Sequence, residues 1–334
     1  MLRDHARERD RALGALTGLA IGDALGMPTQ LASRAQVAAR FGTITDFEPA
    51  ASDHPIAAGL PAASITDDTE QALVIAKLLI AGGGHVTAHA VAAALVEWED
   101  GMRARGSLDL LGPSTTRAVQ AILAGEPIES AGRFGATNGA AMRITPVGIV
   151  VTAADVDALV DRVVEASSAS HNTGVAIAGA AAVAAAVSAA IDGQPWSRVV
   201  ETAIAAAERG AARGFWVAAG DVSWRIRLAI EVADPTDRDR SLDDIYTLIG
   251  TSLATQESVP AAFGILATFP DDPWRAMCAA ATLGGDSDTI AALVGAIGGA
   301  LSGVRGLPSA AVERVTIVNS LELGRTVDEL LALR

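Results

Sequence analysis

The sequence has a single cysteine, Cys278, among its 334 residues, so no disulfide bond can form within the chain. That composition is typical of proteins in a reducing compartment, and we expect a cytoplasmic protein. Aromatic residues account for only 4% of the chain, whereas half of it is apolar and alanine and glycine are abundant. Because small residues let helix backbones approach closely, this composition predicts a densely packed all-helical protein.

Positive charge is also scarce. The chain has 25 lysine and arginine residues against 39 aspartate and glutamate residues, which gives a formal net charge of -14. A polyanion such as duplex nucleic acid would be repelled, and no basic patch is present to attract one. We therefore expect no direct nucleic-acid binding. A small anionic ligand remains compatible with the sequence where metal ions offset the negative charge.

Membrane and export signals are absent from the sequence. The first residues, MLRDHARERDRALG, carry charges of both signs and lack the apolar segment of a signal peptide. The longest apolar run, residues 175–191, is mostly alanine and is shorter than the roughly 20 residues of a membrane span. We predict that this run is a buried helix and that the protein does not bind a membrane.

Helical periodicity extends over nearly the whole chain, and no set of segments alternates between apolar and polar residues as strands do. No fixed-period repeat or long polar linker divides the chain, so residues 1–334 are predicted to form one domain. Helices are predicted at residues 8–26, 69–81, 86–104, 115–124, 153–167, 172–191, 197–212, 257–267, 273–283, 288–304 and 324–333.

Glycines recur at every fourth position in two of these helices. The first contains Gly14, Gly18, Gly22 and Gly26, and a late helix has the same spacing at residues 295, 299 and 303. Each glycine inside a helix costs about 1 kcal/mol relative to alanine, and spacing by four places them on one helix face. We predict that these faces lie against each other or against a central helix.

Two acidic motifs precede predicted helices: SITDDTEQ at residues 64–71 and LGGDSDT at residues 283–289. One interpretation is helix capping, for which Asp, Ser and Thr are the preferred residues. Each motif supplies more oxygen atoms than one cap uses, and crowded carboxylates repel each other unless a cation lies between them. We therefore favour a site for hard divalent cations, with two ions if the motifs converge. The candidate ligands are Thr66, Asp67, Asp68, Asp286, Asp288 and Thr289.

Two further segments are candidate ligand-binding elements. In GRFGATNGAAMRITPVG, glycines flank Asn138 before a predicted helix start, where backbone N–H groups suit a phosphate or a ribose hydroxyl. His171 precedes the apolar helix, either as a polar cap or as a ligand contact. His85 and His89 have the spacing of a zinc site but lack a third ligand. No serine nucleophile motif or nucleotide P-loop is present, and Cys278 is predicted to lie in the core.

Taken together, the pieces GLAIGDALG, TDDT, TNGAAMR, SHNT, ESVPAA and LGGDSDT resemble those of the ADP-ribosylglycohydrolase family, in the family's order. They span residues 14 to about 303. This resemblance implies a single compact, many-helix orthogonal bundle with two Mg²⁺ or Mn²⁺ ions in a central cleft. It assigns the six candidate ligands above to the metals and Asp23 to a supporting role behind them. It also assigns contacts with ADP-ribose to Asn138, Gly139, Ala140, Met142 and His171.

The sequence departs from the family pattern at Gln30. Many members have a glutamate at this position, four residues after the last glycine of the opening helix, near the metals and the scissile bond. Glutamine can hold a ribose hydroxyl or a water molecule, but it cannot accept a proton as a general base. Three hypotheses follow: another carboxylate (Asp67, Asp109 or Glu257) accepts the proton, the substrate has a leaving group that needs no such base, or the protein binds without hydrolysing.

The resemblance implies a metal-dependent hydrolase that cleaves the N- or O-glycosidic bond at the anomeric carbon of ribose in an ADP-ribosylated target. One alternative is a hydrolase of a free nucleoside or another small N-ribosyl compound. Another is an ADP-ribose-binding module with little or no catalytic activity. The expected partner is an ADP-ribosyl or ribosyl substrate, and the sequence leaves the linkage atom and the oligomeric state open.

Overall fold

The computed structural model describes residues 5–108 and 110–334. In these residues the regular secondary structure consists of helices. Two isolated β-bridges are also present, Thr137 to Ala254 and Thr173 to Phe215. Single 3₁₀ turns follow α1 and α16, and a π-helical turn follows α13. The α-helices are α1 (His5–Gly26), α2 (Arg34–Arg40), α3 (Asp67–Ala81), α4 (Ala88–Ala104), α5 (Pro113–Leu123), α6 (Ile128–Ala131), α7 (Gly139–Met142), α8 (Thr145–Val150), α9 (Val156–Ser167), α10 (Gly174–Ile191), α11 (Trp196–Ala211), α12 (Val222–Glu231), α13 (Arg238–Asp244), α14 (Thr255–Thr268), α15 (Pro273–Leu283), α16 (Ser287–Ser302), α17 (Ser309–Asn319) and α18 (Leu323–Leu331).

The prediction of an all-helical protein is confirmed, and each of the eleven predicted helices coincides with an observed one. Helix α7 begins at Gly139, directly after Asn138, where a helix start was predicted. Six helices in the described residues were not predicted: α2, α6, α8, α12, α13 and α17. Four of these are seven residues or shorter, too short for a periodic pattern to emerge. The other two, α12 and α17, are rich in β-branched residues, which have low intrinsic helix propensity.

Helix α10 lies in the centre of the core. It is long and apolar enough to cross a membrane, but 94% of the apolar window is buried inside the protein. Its 18 residues include ten alanines, whose small side chains allow α8, α9, α11 and α14 to pack around it. The prediction of a buried helix here is confirmed.

The two glycine-faced helices pack directly against each other. They run antiparallel, so Gly14 meets Gly299, Gly18 meets Gly295, and Gly26 meets the first residues of α16. A Cβ atom added at Gly18 would lie under 3.0 Å from the carbonyl oxygen of Gly295, a separation that real Cβ atoms do not show. The glycines therefore allow backbone-to-backbone contact, and this contact sets the C-terminus of α1 beside the N-terminus of α16.

We expect Gly18→Ala to lower the free energy of unfolding by about 3 kcal/mol or more, because the backbone of α16 cannot move away without disturbing the core. Helix propensity alone predicts the opposite sign, a gain of about 1 kcal/mol. Gly101→Ala is the matched control, since Gly101 is helical and a Cβ there would meet nothing within 4 Å. Chemical denaturation of both variants measures the difference. Equal effects at the two positions would contradict the close-packing account.

Candidate metal centre and ligand loop

Asp23, near the end of α1, caps helix α3 from outside that helix. Its buried carboxylate accepts the backbone N–H groups of Thr66 (3.0 Å) and Thr69 (3.1 Å), and both threonine hydroxyls also donate to it. Burial nevertheless raises the pKa of Asp23 to about 6, because desolvation outweighs these four donors. The glycine-mediated packing of α1 thus fixes where α3 begins.

The helix-capping interpretation of the two acidic motifs is wrong for their N-cap residues. Neither Thr66, the N-cap of α3, nor Asp286, the N-cap of α16, accepts a hydrogen bond from the backbone of its own helix. Thr66 instead donates its hydroxyl proton to Asp23, which leaves the lone pairs of that oxygen for another partner. The side chains of these two N-cap residues therefore do not serve to cap their own helices.

The two acidic motifs converge although they are more than 200 residues apart. One carboxylate oxygen from each of Asp67, Asp68 and Asp288 can be chosen so that all three lie within 4.8 Å of one another. Thr289 links the motifs directly, since its hydroxyl donates to Asp68 Oδ2 over 3.2 Å. This acidic cluster, Asp67, Asp68 and Asp288, is the candidate metal centre.

The chemistry of the acidic cluster fits a divalent cation. Asp68 is only 1% exposed, and its Oδ1 is buried with no hydrogen-bond partner in the described part of the chain. Burial and the neighbouring charges of Asp67, Asp288, Asp23 and Asp286 raise the pKa of Asp68 well above its usual value. Buried carboxylates in such contact are unfavourable in the ionised form unless a cation compensates them.

Asp286 lies beside the acidic cluster and connects it to the glycine-rich segment of residues 135–139, here called the ligand loop. Asn138 donates from Nδ2 both to Asp286 Oδ2 and to the hydroxyl of Ser258, the latter over 3.0 Å. Burial raises the pKa of Asp286, and the hydrogen bond from Asn138 opposes that shift. Asn138 was predicted to contact ADP-ribose, and the structure shows its amide nitrogen bound to a residue of the acidic motif.

The remaining predicted ligand contacts lie in or beside the ligand loop. Gly139, Ala140 and Met142 are buried in α7, which packs on α3, α10 and α16. The His171 ring lies against Gly139, so close that a Cβ on Gly139 would lie 2.8 Å from its Cε1 atom. The backbone N–H of Asn138 donates to the carbonyl oxygen of Leu253, which holds the ligand loop against residues 253–255. Contact of these residues with a ligand stays a prediction.

Gln30 lies just after the 3₁₀ turn that ends α1, next to the loop that leads into α16. It is 5% exposed, and its Nε2 is buried without a hydrogen-bond partner in the described residues. His54 accepts two backbone N–H groups at Nδ1, so its Nε2 carries the proton and donates to the Gln30 carbonyl oxygen over 3.2 Å. Leu31, the next residue, donates its N–H to Gly285. These contacts hold the backbone of Gln30 beside the acidic motif, while its side-chain Nε2 has no hydrogen-bond partner in the described residues.

The three candidate proton acceptors are placed differently. Asp67 is partly exposed and accepts a hydrogen bond from Gln71 Nε2 over 3.0 Å. Glu257, in the first turn of α14, accepts the backbone N–H of Ser252 over 3.1 Å and supports the loop whose Thr251 accepts the N–H of Asp286. Asp109 lies outside the described residues.

Sequence reasoning missed one buried charge next to this site. Arg143 is fully buried and donates to Gln71 and Ser170, and through them it connects to Asp67 and His171. The available signal was the lone cation in the apolar segment AAMRITPVG. Burial lowers its pKa to about 10, which keeps the guanidinium charged at neutral pH.

Comparisons with known proteins agree with this fold. A profile of the ADP-ribosylglycohydrolase family matches residues 4–334. The uncharacterized protein YegU of Escherichia coli strain K12 is 36% identical over 317 residues, 95% of each chain. An uncharacterized protein of Archaeoglobus fulgidus is 32% identical over 288 residues, 85% of each chain. A solved structure titled ADP-ribosylglycohydrolase-related protein complex has the same fold, with a TM-score of 0.70, 23% identity and coverage of 98% and 99% of the two chains.

Proposed function

The chain belongs to the ADP-ribosylglycohydrolase family, and we propose that it is a metal-dependent glycoside hydrolase that releases ADP-ribose from an ADP-ribosylated target. The proposed reaction is hydrolysis of the N- or O-glycosidic bond at the anomeric carbon of ribose. The proposed cofactors are two Mg²⁺ or Mn²⁺ ions held by Thr66, Asp67, Asp68, Asp286, Asp288 and Thr289.

The observation that carries this proposal is the convergence of the two acidic motifs, in which one carboxylate oxygen from each of Asp67, Asp68 and Asp288 lies within 4.8 Å of the others. Asp68 Oδ1 is also buried with no hydrogen-bond partner in the described residues. Hard divalent cations take carboxylate and hydroxyl oxygens, which are the donors that the two motifs supply. When bound, such ions would polarise substrate oxygens and lower the pKa of a bound water molecule. Asp23 holds Thr66 from behind, and Asn138 holds Asp286, so two of the proposed ligands are oriented by hydrogen bonds.

Gln30 bears on the identity of the leaving group in the substrate. Gln30 offers an amide N–H donor beside the acidic motif, which suits an oxygen acceptor of the substrate and cannot serve as a general base. This favours either a proton acceptor elsewhere, such as Asp67 of the acidic cluster, or a substrate with a good leaving group. The second function that this observation supports is therefore hydrolysis of a free nucleoside or another small N-ribosyl compound.

A substrate panel tests the proposal. Purified protein with Mn²⁺ is incubated with ADP-ribosyl-arginine, ADP-ribosyl-serine and inosine, and free ADP-ribose or ribose is measured by chromatography. Release of ADP-ribose that chelation abolishes supports the proposal. Cleavage of inosine alone would transfer the assignment to the second function. Tight ADP-ribose binding without turnover of any substrate would indicate a binding module and contradict hydrolysis.

We expect Gln30→Glu to raise the rate of ADP-ribosyl-arginine hydrolysis by about 10²-fold or more, the range of general acid–base catalysis. The new carboxylate would stand where the amide now lies and could accept a proton from the attacking water. Gln120→Glu, which adds the same charge on an exposed face of α5, is the matched control. An unchanged rate for Gln30→Glu, in a variant with wild-type metal affinity, would show that this position does not face the reacting bond.

A further inference from the structure

Arg143 is the largest fully buried side chain of the described residues, and neither the proposed metal centre nor the ligand loop includes it. Its guanidinium group donates from Nη1 to Gln71 Oε1 over 3.1 Å and from Nη2 to Ser170 Oγ over 2.6 Å. A buried charge without a carboxylate partner in direct contact is costly, so this placement calls for an explanation. Two chains of hydrogen bonds begin at Arg143, one through Gln71 and the other through Ser170.

The first chain ends at the acidic cluster. Arginine can only donate hydrogen bonds, so the Gln71 side chain must turn its oxygen toward Arg143. The Gln71 amide nitrogen then faces Asp67 and donates to Oδ2 over 3.0 Å. Arg143 therefore decides which way the Gln71 amide points and, through it, how Asp67 is held. The charges of Arg143 and Asp67 also attract each other and raise the pKa of Arg143 against the effect of burial.

The second chain ends at the ligand loop. Ser170 accepts from Arg143, and the partner that remains for its own proton among the described contacts is His171 Nδ1, 2.8 Å away. His171 stays neutral because burial and the charge of Arg143 lower its pKa well below the usual value. With Nδ1 accepting, the ring proton lies on Nε2, which donates to the Thr137 hydroxyl over 2.9 Å.

The second chain ends at a partly exposed side chain of the ligand loop. Thr137 is partly exposed, and its hydroxyl oxygen already accepts from His171. Its own proton is then available for an oxygen acceptor, such as a phosphate or ribose oxygen of the ligand. The direction of the hydrogen bonds at this point of the ligand loop is thus set three groups away, by Arg143, which can only donate.

We propose that Arg143 is a positioning residue that fixes the direction of both hydrogen-bond chains, so that Asp67 is oriented at the metal centre and Thr137 presents a donor to the ligand. The role assigned to the two ends rests on the proposed function, whereas the direction of the hydrogen bonds between them does not. Arg143 would then position groups at both the acidic cluster and the ligand loop.

The direct test is the protonation state of His171, measured by two-dimensional ¹⁵N NMR of the five histidines, with His171→Gln to identify the signal. We expect a single neutral form with the proton on Nε2 in the wild type and a mixture of both tautomers in Arg143→Met and in Ser170→Ala. Ser167→Ala is the matched control, because Ser167 is an equally buried serine without a hydrogen-bond partner in the described residues. A proton on Nδ1 in the wild type, or no change in Ser170→Ala, would overturn the proposal.

Measurements of Mn²⁺ and ADP-ribose binding then test the two hydrogen-bond chains separately, in variants that retain Arg143. We expect Gln71→Leu to weaken Mn²⁺ binding about tenfold, the usual scale for a residue that orients a metal ligand, and to leave the His171 tautomer unchanged. Ser170→Ala should weaken ADP-ribose binding and leave Mn²⁺ affinity in the absence of ADP-ribose unchanged. Arg143→Lys keeps the charge but not the fork of two donors, so it should restore only part of what Arg143→Met loses.

These readouts distinguish the failure of this proposal from the failure of the proposed function. If the wild type binds neither Mn²⁺ nor ADP-ribose, the proposed function is wrong, and the tautomer experiment still decides whether Arg143 sets the direction of the chain. If the wild type binds both and Gln71→Leu and Ser170→Ala bind as the wild type does, Arg143 has only a structural role. Because Gln71→Leu and Ser170→Ala leave Arg143 in place, the test does not depend on whether Arg143→Met folds.

Discussion

Asp68→Asn should reduce metal-dependent hydrolysis by about 10³-fold or more and abolish the stabilisation of the protein by divalent metal. The substitution removes the charge of the most buried carboxylate in the acidic cluster, whose Oδ1 has no partner in the described residues. Metal ions in hydrolases supply several kcal/mol of transition-state stabilisation, and each 1.36 kcal/mol corresponds to a factor of ten in rate. Metal at 100 times its dissociation constant should stabilise the wild type by about 2.7 kcal/mol.

The stability of Asp68→Asn in the absence of metal is the control, because it should not fall below that of the wild type. In the metal-free wild type, burial and then the charges of Asp67 and Asp288 make ionisation of Asp68 unfavourable, and they raise its pKa well above the usual value. An asparagine removes that repulsion and can donate to the neighbouring carboxylates, so the chelated variant should be at least as stable as the chelated wild type. Asp100→Asn, on an exposed face of α4, should change neither quantity. Thermal unfolding with EDTA and with Mn²⁺ measures both. A variant that Mn²⁺ stabilises as much as the wild type would exclude Asp68 from the metal site.

Asp23→Ala should lower the free energy of unfolding by about 3 kcal/mol or more and weaken metal binding at the same time. The variant removes the acceptor of four hydrogen bonds and leaves the backbone N–H groups of Thr66 and Thr69 buried without partners. Each orphaned buried donor costs about 1–3 kcal/mol. Since Thr66 also loses the group that orients its hydroxyl, the metal affinity should fall together with the stability.

Asp10→Ala is a suitable comparison on the same helix. Asp10 pairs with Arg305, whose side chain is mostly exposed, and such pairs contribute about 1 kcal/mol or less. Urea denaturation and Mn²⁺ titration of both variants measure the two effects. If Asp23→Ala unfolds like Asp10→Ala, the first turn of α3 does not depend on Asp23, and the link between the glycine-faced helices and the metal centre fails.

The features that could be predicted from sequence are those that depend on residues close together in the chain. The spacing of Gly14, Gly18 and Gly22 predicts a close contact between helices. Glycine destabilises a helix relative to alanine, and a close contact on the glycine face would offset that free energy. The structure identifies the partner as the other glycine-faced helix, one of the two possibilities that the spacing left open. The crowding of oxygen atoms at residues 66–68 and 286–289 likewise suggested a shared cation, and the two segments do meet.

The parts that could not be predicted depend on contacts between distant segments. Arg143 donates to Gln71 and Ser170, which are 72 and 27 positions away. Contacts over such separations produce no periodic pattern in the sequence. His54 holds the backbone of Gln30 from 24 positions away for the same reason. Short helices such as α6 were missed because four residues carry too little periodicity to be recognised. These elements follow from tertiary packing rather than from local propensity.

The central claim is that the convergent acidic motifs form a metal centre that supports hydrolysis of an ADP-ribosyl bond. The most direct test is ADP-ribose release from ADP-ribosyl-arginine by chelated protein, before and after addition of Mg²⁺ or Mn²⁺, beside Asp286→Ala under the same conditions. The account predicts no release with chelator, release after metal is restored, and little or none from the variant. Release that is unaffected by chelation, or equal in Asp286→Ala, would contradict it.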